Sequence, residues 1–209
     1  MTGSLLKNNW QASWPDKKFR IQFVLTFLFL ALLLFSLSYF FAFIEAGEGY
    51  RVNDVILNLS PPFDVSLYTF FIIYSAAILT IINVAPMPLL FLRAVQTYAL
   101  ILVFRLVTLY FTPLAAPENI IPLNDPFIEH FFYGQVRITK DLFFSGHVAT
   151  VCLLYVVNPN KKLKWFYVCV IVLVSVLIMI QRVHYSFDVF AAPLFVWLAW
   201  KITGRIKLY

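Results

Sequence analysis

The stretch DLFFSGHVAT, Asp141 to Thr150, gathers Asp, Ser, Gly and His within seven positions at the lip of an apolar run. Hydrocarbon offers a charged or hydrogen-bonding side chain no partner, so such a cluster is costly unless it lines a polar cavity. A second cluster, QRVHYSFD (Gln181 to Asp188), interrupts the apolar C-terminal part, and two of the three histidines fall in these two clusters. Whether the clusters meet decides both the fold and the chemistry.

Composition sets the solvent. Of 209 residues, 62% are hydrophobic and 12% charged, and Phe alone contributes 23. A water-soluble domain of this length cannot hide so much apolar surface, so most of it faces lipid. Six stretches, approximately 21–44, 66–84, 95–112, 142–158, 165–181 and 188–203, span or nearly span a ~30 Å core that takes ~20 apolar residues. The last three are short for the task. The expected fold is an all-α integral membrane protein: a basic tail at 1–20, a six-helix catalytic domain at 21–203, and a tail at 204–209. The first apolar run is longer than the ~7–15 residues of a signal-peptide core, so it reads as a retained signal-anchor helix. NVAPMP, Asn83 to Pro88, reads as a turn. Cys152 and Cys169 lie inside apolar runs and read as packing residues. No dense His, Cys and carboxylate cluster suggests a metal, and no cofactor is expected.

The cations choose an orientation. With the N-terminus in the cytoplasm, the inner segments carry eleven: Lys7, Lys17, Lys18, Arg20, Arg93, Lys161, Lys162, Lys164, Lys201, Arg205 and Lys207. The outer segments carry four, Arg51, Arg137, Lys140 and Arg182. Counted over short loops, this asymmetry places both termini inside. A nucleic-acid partner is not expected, because the cations are scattered among tails and turns. In this topology both polar clusters lie on the extracytoplasmic face, at similar depth.

Their side chains make a chemical set. His184 and Asp188 are four apart and share a face if helical, so the carboxylate can hold one imidazole nitrogen and leave the other to attack an electrophile. His147 can protonate a leaving oxygen. Ser145 and Gly146 open a helix whose unpaired N–H groups favour an anion. Arg105, in ILVFRLVTLYFT, sits inside a span about 10 Å below Thr112 at helical rise, where a guanidinium can snorkel upward and clamp phosphate. A nucleophile, an acid and an anion cradle point to phosphoryl transfer on a lipid. Bland alternatives stand beside this reading. Arg105 can instead pair with a carboxylate as a strut, Asp141 can cap a helix, and Tyr185 can be an interfacial aromatic. His130 and Glu129, in FIEHFFYG, read as interfacial.

These residues resemble the second and third motifs of the type 2 phosphatidic acid phosphatase (PAP2) superfamily. The finer resemblance is to its sphingomyelin synthase branch, carried by D-x3-S-G-H at Asp141, Ser145, Gly146 and His147, and by HYSFDV at His184 to Val189. Arg105 and Thr112 partly keep that branch's Y-x2-R-x6-T, and PPFD at Pro61 to Asp64 loosely matches its Pro-rich loop. Ile178 stands where the phosphatases of the superfamily carry an arginine before the last histidine, and Val148 replaces a usual threonine. The resemblance implies a metal-independent, two-step reaction with His147, His184 and Asp188 catalytic. Arg105, Asp141, Ser145, Gly146 and Tyr185 would bind substrate. A donor phospholipid would release diacylglycerol, and a ceramide-like or other lipid hydroxyl, or water, would accept the head group. Three functions are thus carried forward: lipid head-group transferase, lipid phosphate phosphatase or phospholipase C-type hydrolase, and transporter or non-catalytic membrane protein.

Overall fold

The computed structural model describes residues 9–59, 61–123 and 138–206. His130 and Glu129 lie outside them. Among the described residues the chain is helical: α1 (Trp10–Ser13), α2 (Lys17–Ala46), α3 (Ser66–Val84), α4 (Pro88–Phe111), α5 (Gly146–Val157), α6 (Lys164–Ile180) and α7 (Ser186–Thr203). One isolated bridge joins Tyr50 to Leu114. It requires Gly49, where a Cβ would stand 2.6 Å from the Leu114 carbonyl carbon.

Local chemistry places the helix ends. Asp16 caps α2 by accepting from the Lys18 and Phe19 amides at 2.7 and 3.1 Å. Asp64 Oδ1 accepts from the Ser66 amide at 3.0 Å and opens α3. Pro88 begins α4, where its missing N–H costs no hydrogen bond. The tight link Ala85 to Met87 is the turn expected from NVAPMP.

Among the described residues five helices are long and apolar enough to cross a membrane: α2, α3, α4, α7 and, with its preceding 3-10 turn, Lys161–Ile180. This makes the chain a multi-pass membrane protein. The sixth expected span differs. Helix α5 has 12 residues, about 18 Å at helical rise, well under a ~30 Å hydrocarbon core. Its apolar run lies inside the bundle, since α5 packs against α3, α4, α6 and α7 together. Val148, Ala149, Val151 and Cys152 of α5 are buried against Ile178 of α6 and Ala192 and Val196 of α7. The run 142–158 is hydrophobic because protein surrounds it. Below α5, buried Asn158 donates to Tyr167 Oη at 3.1 Å, and that hydroxyl meets Thr80 Oγ1 at 2.6 Å. Polar groups at the end of a buried helix are thereby satisfied.

Helix α2 is the opposite case. Leu28, Leu32, Phe35, Tyr39 and Phe43 are exposed, and the helix leans on α4 through Leu33. At one end of the bundle Arg93 stacks 3.4 Å over Trp200 and donates to its carbonyl at 2.8 Å, joining α4 to α7. The other end carries both polar clusters.

Candidate active site

The two clusters do meet. The Ser145 amide donates to the Asp188 carbonyl at 3.1 Å, so the first residues of α5 and α7 are tied through the main chain. Ser145 is fully buried and caps α5, its side chain accepting from the Val148 amide at 3.4 Å. Gly146 and His147 form the first turn. The His147 ring stands edge-on to His184, centroids 6.1 Å apart, and edge-on to Phe70 at 5.8 Å.

His184 is 3% exposed and lies in the link before α7, not within it. Arg182, in left-handed backbone at φ 59°, turns the chain out of α6 toward it. The His184 Nδ1 is 3.0 Å from the Leu142 carbonyl oxygen. A carbonyl only accepts, so Nδ1 carries the proton and the neutral ring keeps its lone pair on Nε2. This revises the expectation that a shared helical face would let Asp188 hold the ring. Asp188 Oδ2 lies 3.6 Å from Nδ1, too far for a hydrogen bond but within ion-pair range once the ring is protonated. That oxygen instead accepts from the Tyr185 amide at 3.0 Å. Asp188 Oδ1 is buried with no hydrogen-bond partner among the described residues.

Arg105 is 6% exposed. Its Nη1 donates to the Phe144 carbonyl at 2.6 Å, and its Nη2 pairs with Asp141. Two of five N–H donors are thus spent on the segment leading into α5. The carboxylate pairing foreseen for a strut exists, and the guanidinium also lies directly against Gly146. Asp141 therefore does not cap α5; Ser145 does. Tyr185 points away from the histidines. Its hydroxyl donates to the Ala115 carbonyl at 2.9 Å and accepts from the Val52 amide at 3.3 Å, and its ring stacks on Phe187. Burial pushes this phenol above its ordinary range. Its position anchors the loops over the bundle end.

Three contributors escaped the sequence reading. Asp54 Oδ2 accepts from the Ser186 amide at 2.6 Å and so steadies the start of α7. Gln181 donates to Ser66 Oγ at 2.7 Å and accepts from the Val65 amide at 3.2 Å, joining α6 to α3. The third is the Leu142 carbonyl. Hydrophilic residues in loops can be suspected of such roles, but a main-chain acceptor has no signature in sequence. Among the described residues no group of three or more His, Cys, Asp or Glu could hold a metal ion.

Residues 140–205 match the family model described as PAP2 superfamily C-terminal. The match takes in Asp141, Ser145, His147, His184 and Asp188, and leaves Arg105 outside. Over that C-terminal third the chain is similar to the PAP2 superfamily, whose members are generally phosphatases and phosphotransferases. No curated protein matches the chain.

Proposed function

We propose that the chain is a membrane lipid phosphotransferase that moves a phospho-head group from a phospholipid to a lipid hydroxyl through a phosphohistidine. The observation that carries this is His184 Nδ1 at 3.0 Å from the Leu142 carbonyl oxygen, with the His147 ring facing the same ring at 6.1 Å between centroids. Nε2 of His184 attacks phosphorus, and the phosphorus–oxygen bond to diacylglycerol breaks. Protonated His147 gives its proton to the departing oxygen. His147, now neutral, takes the proton of an acceptor hydroxyl as that oxygen attacks phosphorus, and the phosphorus–nitrogen bond breaks. Asp188, dry and 3.6 Å from Nδ1, supplies the countercharge while His184 is positively charged. Arg105 clamps non-bridging oxygens with its remaining donors, and the start of α5 adds N–H groups beside Gly146. Neither step requires a metal ion. A ceramide-like acceptor is the reading that the HYSFDV motif favours; with water as acceptor, the same residues make a hydrolase.

The cation count favours the extracytoplasmic face for this site. The experiment is purified protein in lipid nanodiscs with head-group-labelled phospholipid, with and without ceramide, followed by product identification. Labelled sphingolipid only when ceramide is present supports transfer; free phospho-head group in both cases supports hydrolysis. Turnover by His184→Ala at the native rate would refute catalysis at this site.

A further inference from the structure

We infer that Glu45, at the far end of the otherwise lipid-facing α2, is a positioning residue that sets the proton on His184 through the strap Thr139–Phe144. The inference rests on the catalytic reading of His184 given above. The strap is gripped residue by residue. Glu45 Oε2 accepts from the Thr139 and Lys140 amides at 2.9 and 3.0 Å, and Oε1 accepts from Thr139 Oγ1 at 2.6 Å. Lys140 returns its ammonium to the Glu45 carbonyl at 2.7 Å and to the Gly47 carbonyl. Asp141 pairs with Arg105, and the Leu142 carbonyl takes the His184 Nδ1 proton. The Phe143 carbonyl accepts from Thr108 Oγ1 at 3.1 Å, and the Phe144 carbonyl accepts from Arg105.

Only the Glu45 end of this chain of bonds belongs to α2. That helix packs mainly on α4 and exposes most of its length, and its polar grip on the strap ties it directly to the segment beside His184. Three bonds into one carboxylate fix the strap's entry, and Leu142, 1% exposed against Leu57 and Tyr185, fixes its middle. The carbonyl of Leu142 itself is held at hydrogen-bond distance from Nδ1. Releasing the entry lets that carbonyl drift. Nδ1 then has only Asp188 within ion-pair range, and the neutral ring divides its proton between the two nitrogens. The charged and titratable groups nearest His184 are Asp188 and His147, with the Arg105–Asp141 pair on the strap itself and the Tyr185 hydroxyl turned to the loops.

The test reads the proton directly. Full-length protein labelled with 15N-histidine contains three histidines, and His184→Ala assigns the resonance of interest. In the resting wild type His184 shows the Nδ1–H tautomer. Glu45→Ala shows a mixture, lowers kcat about tenfold and leaves KM within about twofold, since the ring is mis-set and the substrate contacts are kept. Glu45→Gln keeps an acceptor and recovers most of kcat. If Glu45→Ala does not fold, Thr139→Val, which deletes one of the three bonds, gives a smaller shift in the same direction. An unchanged tautomer in the folded variants overturns the inference, as does a loss of kcat that only tracks loss of folded protein. Native turnover by His184→Ala would refute the catalytic reading instead, and the resting tautomer would still decide the role of Glu45.

Discussion

Replacing Gly146 by alanine adds one methyl group at the most crowded point of the site. The new Cβ would stand 2.3 Å from Arg105 Nη1 and 2.8 Å from its Cζ. Ordinary contact begins at 3.4 Å, so the guanidinium has to retreat by about 1.1 Å. Directed away from Phe144, that retreat stretches a 2.6 Å bond to about 3.7 Å, past hydrogen-bond length. A bond from a charged donor contributes about 1.5–3 kcal/mol. Alanine returns about 0.5–1 kcal/mol because it leaves the unfolded chain less conformational freedom to lose on folding. The net loss of stability is therefore modest, about 1–2 kcal/mol. Turnover responds more steeply, because a displacement of about 1 Å in a group that orients the substrate costs about a hundredfold. Thermal unfolding and lipid turnover measured on the same nanodisc preparations separate the two effects. Arg105→Gln in the Gly146→Ala background adds little further loss, since both changes act on one contact. Turnover of Gly146→Ala within about threefold of wild type would refute the reasoning, by showing that the guanidinium's place does not matter to the chemistry.

Four further outcomes are expected. Arg105→Lys keeps the charge but loses the planar fork, so turnover falls strongly while the protein stays folded; its partner Asp141 is 30% exposed and can be hydrated. A large drop in thermal stability with proportionate turnover would make Arg105 a strut only. Tyr185→Phe removes the bonds to Ala115 and Val52, lowering stability by about 1 kcal/mol with kcat nearly unchanged; a collapse of kcat in stable protein would restore Tyr185 to the substrate site. Burial pushes the Asp54 carboxyl up, but hydrogen bonds from Ser186, Leu57 and Ile56 outweigh it and hold Asp54 below the ordinary carboxylate range. Its contribution is therefore complete above about pH 4 and is lost as the pH falls through the lowered value; an Asp54→Asn variant with the same acid dependence of unfolding as wild type would refute this. Single cysteines at positions 53 and 162 label from opposite sides of the membrane, the former from the extracytoplasmic side; labelling of both from one side breaks the proposed orientation.

Much of the helix layout was legible because hydrophobic runs and caps are local properties. Pro88 and the Asn83–Pro88 turn mark their own positions. At 142–158 the helix is shorter than the apolar run, since Leu142, Phe143 and Phe144 are as apolar as any helix but precede α5 as a non-helical strap. Hydropathy does not distinguish a helix facing lipid from one enclosed by four others, so the enclosure of α5 was not legible in the sequence. In the site, Ser145, Gly146, His147, His184 and Asp188 announced themselves by residue type and spacing. Their bonding did not. The partner of His184 Nδ1 is a main-chain oxygen 42 residues away in the sequence, and Glu45 reaches the strap across 94. Arg105 left two readings open because a guanidinium serves a carboxylate or a phosphate equally well, and its Asp141 partner lies 36 residues off.

The bond from the Ser145 amide to the Asp188 carbonyl makes the gauge of the reaction centre independent of side chains. The two histidine-bearing segments are spaced by backbone, much as two jaws are spaced by a common hinge pin. Residues on the lipid-facing flanks and in the loops above can then be exchanged without altering the distance between the two histidines. Under the proposed phosphotransfer, such a scaffold would let the identity of the acceptor be rewritten around a fixed chemical step.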